Sequence, residues 1–133
     1  MTMFSSRNWR EYPHRYRREA SKFTKSGKTY HPKRLVDPET GDREQTTVVL
    51  PDEGKIVTYT VIRIAPAQWG DMSPYGLAIV ELTDGTKVFG QLTDCDVEKI
   101  EIGMEVRMEF RKIQSEGHHG VLSYGHKFVP KWF

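Results

Sequence analysis

The chain has 133 residues, 37% of them apolar and 29% charged, with a formal net charge of +2. That is enough apolar material for one ordinary domain, or a small module and a small domain, and it excludes wholesale disorder. No apolar run approaches the ~18 residues of a membrane span, the start MTMFSSRNWR lacks the apolar stretch of a secretory signal, and the single Cys95 cannot form an internal disulfide, so a soluble cytoplasmic protein is expected.

Two parts meet near residue 45: an arm of residues 1–45 and a strand-rich domain of residues 46–133. Residues 1–34 carry ten Lys/Arg against Glu11 and Glu19, a net +8, while the other 99 residues carry ten against sixteen acids, a net −6. A basic arm on an acidic body points to a negatively charged partner for the arm: nucleic acid, coenzyme phosphates or an acidic protein surface. Trp9, Tyr12, Tyr16, Ala20 and Phe23 recur at steps of 3, 4, 4 and 3, the spacing of one helical face. Pro13 interrupts that pattern, so a short helix over residues 6–12 is expected. An extended segment then leads to a turn after Phe23 and pairs back with Lys28–His31. The stretch "FTKSGKTYHPKRLVDPET" has a Gly turn at Ser26-Gly27-Lys28 and a second turn at Asp37–Gly41. It is laid out like a zinc ribbon, but where such a ribbon has two C-x-x-C pairs it has Phe23 and Ser26, then Asp37 and Thr40.

The domain reads as five strands. "GKIVTYTVIRIAP" (54–66) is β-branched and apolar on both faces, a long, bent central strand. A ten-residue loop follows, then a hairpin of Leu77–Leu82 and Thr86–Leu92 about an Asp84-Gly85 turn. "TDCDVEKIEIG" is a polar connector with room for one helical turn. In "MEVRMEFRKI", Met104, Val106, Met108 and Phe110 face one way and Glu105, Arg107, Glu109 and Arg111 the other. "SEGHHG" is a turn, and "VLSYGHKFVP" is the last strand. The layout is that of a small Greek-key barrel of the OB type, with Tyr59, Phe89 and Phe110 expected in its core.

The chemical motifs are weak. "SGKT" ends like a phosphate-binding loop, yet the Gly required five residues before Gly27 is Lys22. "DPETGD" spaces acids as a calcium loop does, but its Gly is one place early and the closing Glu is missing; it reads as a turn. His118 and His119 are adjacent on a strand-turn unit and point apart, so with His126 they make no metal set. Asp94 and Asp96 flank Cys95 and raise its pKa, the opposite of what a nucleophile needs. No acid–base pair or oxyanion loop is visible, and no catalytic residue is expected. An OB-type barrel can bind single-stranded nucleic acid, which is the alternative function. The alternating Glu/Arg face of 105–111 offers a polyanion little net attraction, so no nucleic acid is expected as partner, and no membrane.

Taken in order, the Trp-bearing helix, "RYRREASKFTKSGKTYHPKRLVDPETGDRE", "YTVIRIAP", "PYGLAIVELTDGTKVFGQL", "IGMEVRMEF" and "FVP" resemble an archaeal and bacterial family. In that family a rubredoxin-like zinc ribbon precedes an OB-fold; it was long classed as a domain of unknown function and is associated with acyl-CoA metabolism. The resemblance spans residues 9–130. It puts the family's four zinc ligands at Phe23, Ser26, Asp37 and Thr40, keeps Gly27 and Pro38, and sets Pro32-Lys33-Arg34 for the family's Pro-Pro-Arg. Zinc is therefore not carried over, and no metal is expected. A structural zinc contributes ~10–16 kcal/mol in small fingers, whereas burying Phe23 returns about 1.5–3 kcal/mol, so the hairpin is expected to lean on the barrel or on a permanent partner. The resemblance further implies an accessory, non-catalytic subunit that bridges acetoacetyl-CoA thiolase and hydroxymethylglutaryl-CoA synthase in the mevalonate route to isoprenoids. Trp9, Tyr12, Tyr16, Tyr30, Trp69, Tyr75 and Trp132 are the candidate interface aromatics. Lys22, Lys25, Lys28, Lys33 and Arg34 are the candidates for coenzyme A phosphates at a shared interface, or for partner contacts.

Overall fold

The structure is a computed structural model that describes residues 6–115 and 122–131. Helix α1 spans Ser6–Tyr16 and contains Pro13, four residues beyond the expected end. Pro13 removes one hydrogen bond near the last turn, but its carbonyl still accepts from the Arg17 amide at 3.1 Å. The helix is held from outside. Tyr12 stacks on Tyr16 at 5.5 Å, and Tyr16 meets Phe110 of the barrel edge-on at 5.0 Å. Tertiary packing of this kind outweighs a weak local preference.

Arg18, at φ 54°, turns the chain into the arm's sheet. Its strands are β1 (Glu19–Phe23), β2 (Thr29–Tyr30) and β3 (Gln45–Val49), in the order β2-β1-β3. Ser21 lies opposite Tyr30, so the segment after Phe23 pairs back as the turn spacing predicts. The third strand, β3, crosses the expected junction at residue 45 and pairs with β1 along its whole length.

The remaining strands are β4 (Glu53–Ile62), β5 (Tyr75–Leu82), β6 (Lys87–Leu92), β7 (Glu105–Ser115) and β8 (Leu122–Pro130). They close into a barrel in the order β4-β5-β6-β8-β7, antiparallel except where β6 meets β8. This is the OB-fold, with five strands, one long and bent by a bulge between Ile56 and Thr58. Short 3₁₀ turns occupy Ala67–Met72, in the loop after β4, and Val97–Lys99, in the polar connector. The core joins Ile56, Val80, Leu82, Val106 and Phe128 to Leu50 and, from the arm, Ala20. Arm and barrel thus share apolar packing.

Three aromatics expected in the core are not there. Tyr59, Phe89 and Phe110 are 38%, 68% and 44% exposed. Tyr59 lies opposite buried Ala78 and shares its face, but β4 pairs with β7 only over Glu53–Lys55, so beyond the bulge this face is left partly open. On β6, Val88 faces in and Phe89 out, and the inner space beside Gly90 is filled by Phe128: a Cβ there would lie 2.5 Å from its ring. Phe110 continues the inward row of Met104, Val106 and Met108 beyond the end of the barrel, where it meets α1 instead of the core.

Candidate functional site

The former ligand places of the ribbon still converge. Asp37 is buried, and its carboxylate accepts from the Glu39 amide at 2.9 Å and the Thr40 hydroxyl at 3.0 Å. It also accepts from the Ser26 hydroxyl. Three of the four places therefore meet in one hydrogen-bonded hub, where the Ser26 hydroxyl and the Glu39 amide hold the Asp37 carboxyl below its usual range. The fourth, Phe23, is fully buried, and its carbonyl accepts from Gly27, whose φ of 71° makes the turn. Asp42 repeats the device. It is buried and accepts from the Glu44 amide at 3.0 Å, the Lys25 amide at 3.4 Å and the Thr24 hydroxyl at 3.3 Å. Sequence reasoning passed over Asp42; its signal lay in the same D-P-E-T-G-D spacing that reads as a turn. Among the described residues no three His, Cys, Asp or Glu side chains gather as metal ligands.

The ribbon is also tied to the helix. Glu19 pairs with His14 at 2.5 Å, Arg17 at 2.9 Å and Lys33 at 3.5 Å. The hydrogen bond from His14, then that from Arg17, lowers its pKa to about 2. Of the five candidate anion-binding cations, Lys33 is thus engaged by Glu19, Lys28 pairs with Glu39, and Arg34 lies over the Tyr30 ring at 5.4 Å. Lys22 and Lys25 are exposed and form no salt bridge among the described residues, although the Lys25 charge helps to lower the Asp42 pKa.

The candidate interface aromatics divide. Trp9 is 65% exposed and meets Tyr12 edge-on at 6.2 Å. Tyr16 is partly exposed against Phe110, which in turn stacks on Tyr124 at 5.6 Å. Tyr30 packs on Phe23. Trp69 donates its indole N–H to the Ile113 carbonyl at 2.8 Å, and Tyr75 is buried behind it. Trp132 lies outside the described residues, as do His118 and His119.

The Glu/Arg face pairs with itself and its surroundings: Arg107 with Glu109 at 2.8 Å, and Arg111 with Asp94 at 2.9 Å. Cys95 is partly buried. Burial first, then Asp94 and Asp96, push its thiol pKa up, which disfavours the thiolate. No helix among the described residues is long and apolar enough to cross a membrane.

One site was not legible in the sequence. A cleft of about 470 Å³ opens between α1, the arm's sheet and the barrel, and its lining includes Tyr12, Arg15, Arg18, His31, Trp69 and His126. These residues come from the helix, the segment after it, the ribbon, the loop after β4 and β8. No spacing along the chain announces them together.

The comparisons with known proteins agree with this architecture. Residues 47–111 match the family described as the C-terminal OB-fold domain of ChsH2. A solved chain of the "Ltp2-ChsH2(DUF35) aldolase" superposes with a TM-score of 0.70 at 25% identity, covering 98% of each chain. A "DUF35 domain-containing scaffold protein" of Methanothermobacter thermautotrophicus is 42% identical over 94% of this chain and 95% of its own length. Its counterpart in Methanocaldococcus jannaschii is 37% identical over 93% and 89%. Helix, ribbon and barrel are thus all matched in the same order, and the chain belongs to the family of DUF35 domain-containing scaffold proteins.

Proposed function

We propose that this chain is a non-catalytic scaffold subunit that bridges acetoacetyl-CoA thiolase and hydroxymethylglutaryl-CoA synthase and helps acetoacetyl-CoA pass between them in the mevalonate pathway. The observation that carries this reading is the nearly full-length likeness to archaeal proteins named as scaffolds. Its likeness to a chain of the "Ltp2-ChsH2(DUF35) aldolase" supports a place beside an enzyme. The surface suits docking: Trp9, Leu35, Val49, Ile64 and Phe89 are each more than 60% exposed, and large exposed aromatics are typical interface anchors. Coenzyme A, if shared at such an interface, would meet Lys22 and Lys25 first, because the other three candidate cations already have partners. In this reading the ribbon needs no zinc, since Asp37 and Phe23 occupy its centre; elemental analysis finding stoichiometric zinc in the purified chain would contradict that.

Affinity purification of the native protein, with identification of the co-eluting enzymes, tests the bridge. Thiolase and synthase should both be retained, and free acetoacetyl-CoA should not accumulate during coupled turnover. Recovery of nucleic acid in place of the two enzymes would overturn the reading. Trp9→Ala should weaken retention of one enzyme about tenfold, as loss of an aromatic anchor does. The far-UV spectrum and each enzyme's separate rate should stay unchanged. Unaltered retention of both enzymes would remove Trp9 from the interface.

A further inference from the structure

The cleft between α1, the arm's sheet and the barrel has a volume of about 470 Å³, within the roughly 300–1,000 Å³ typical of small-molecule sites. Its two halves differ chemically. The floor is apolar, with Leu50, Met108 and Phe128 from the shared core. The rim carries Arg15, Arg18, His31 and His126, and no Asp or Glu among the described residues lines the cleft. Glu19, next to Arg18, is held by His14, Arg17 and Lys33 and is not part of the lining.

The rim is only partly satisfied within the chain. Arg15 has no carboxylate partner among the described residues, and Arg18 gives its Nε–H to the Leu50 carbonyl at 3.2 Å. His126 lies with Nε2 3.0 Å from the Tyr16 carbonyl, so that nitrogen carries a proton and donates it. Its Nδ1 is buried without a hydrogen-bond partner, a condition that folded proteins rarely leave in place. His31 Nδ1 lies 3.2 Å from the Glu19 carbonyl. Burial, then the nearby Arg15 and His126, hold the His31 pKa below its ordinary value. A bound anion would reverse the electrostatic part of that shift.

We propose that this cleft binds an amphipathic monoanion, a carboxylate on an unbranched apolar chain, with the carboxylate among Arg15, Arg18 and His126 and the chain along Met108 and Phe128. Two guanidiniums suit one planar anion, and the apolar floor requires a chain behind it. His126, whose Nε2–H already goes to Tyr16, donates from Nδ1 only as the imidazolium. A bare inorganic anion would leave that floor unused, and a neutral chain would leave the rim unpaired. The proposal does not depend on the scaffold role.

The test is titration of octanoate into the full-length chain, followed by NMR. The Trp69 indole N–H, which bonds Ile113 in the cleft wall, is the reporter. Saturable shifts confined to the cleft are expected. Acetate, with the charge alone, and 1-octanol, with the chain alone, should each bind at least about tenfold more weakly. Arg15→Gln, at an exposed helix position, should weaken octanoate about tenfold and leave octanol unchanged. Affinity should rise as the pH falls from about 8 to about 6, because an imidazole on the rim donates to the carboxylate only when protonated, so the complex takes up protons. Octanol binding as tightly as octanoate would overturn the proposal. So would shifts spread outside the cleft, or Arg15→Gln and His126→Gln each retaining full octanoate affinity with an undisturbed NMR spectrum.

Discussion

Phe23→Ala is expected to destabilise the protein by about 3–5 kcal/mol, the range for removing a fully buried Phe. Phe23 has no exposed surface. Its amide donates to the Lys28 carbonyl at 3.0 Å and its carbonyl accepts from the Gly27 amide at 2.9 Å, so its backbone closes the first ribbon turn. Its ring meets Tyr30 edge-on at 5.9 Å. The second turn depends on the Asp37 hub, which loses its Ser26 donor if the first turn opens. The loss should therefore be concentrated in the ribbon. In hydrogen exchange, the Phe23 and Gly27 amides should approach solvent rates while Val80 and Val106 of the barrel stay protected. Denaturant unfolding gives the total. A loss below about 1 kcal/mol, or equal loss of protection in the barrel, would show that the ring does not take the place of a metal. Phe23→Leu, which keeps most of the volume, should cost less, about 1.5 kcal/mol.

The barrel was legible because its evidence is local. Alternation in 104–108, the Asp84-Gly85 hairpin and the β-branched run of 54–62 each specify a strand without help from distant residues. Where the sequence misleads, long-range packing decides. Helix α1 runs through Pro13 because Tyr16 has Phe110, 94 residues away, to pack on. Phe89 reads as core until Phe128 is seen filling the space beside Gly90. The ribbon's turns were legible from Gly27 and Asp37-Pro38, and so was the substitution of all four ligand places. That a carboxylate takes hydrogen bonds from two of the other three was not, since Ser26 and Thr40 also suit ordinary turns. The cleft was the least legible feature. Its cations, Arg15, Arg18, His31 and His126, look like a scattered basic surface until the arm folds onto the barrel.

Lys127→Met is expected to stabilise the protein by about 1–4 kcal/mol at neutral pH, the range seen when well-packed apolar side chains replace buried charge. Lys127 is 2% exposed on β8, and its ammonium has the Met72 thioether at 3.6 Å as hydrogen-bond acceptor, a weak one. Burial is the main influence on its pKa and lowers it. Asp94 pulls the other way, but Asp94 already pairs with Arg111 at 2.9 Å, and Lys112 pushes the pKa down further. Met matches the length of the lysine stem, fills irregular space readily and carries no charge to desolvate. The sign of the pH effect follows from the direction of the shift. Between the lowered folded pKa and the ordinary value of 10.5, the unfolded chain binds a proton that the folded chain does not. Wild-type stability should therefore rise with pH through that window and level off above it. The Met variant lacks this slope, so its advantage should be full below the folded pKa and shrink toward pH 10.5. Urea unfolding of both proteins at several pH values measures the difference. A destabilised variant, or an advantage that grows with pH, would mean that Lys127 is held by charge pairing and not merely tolerated.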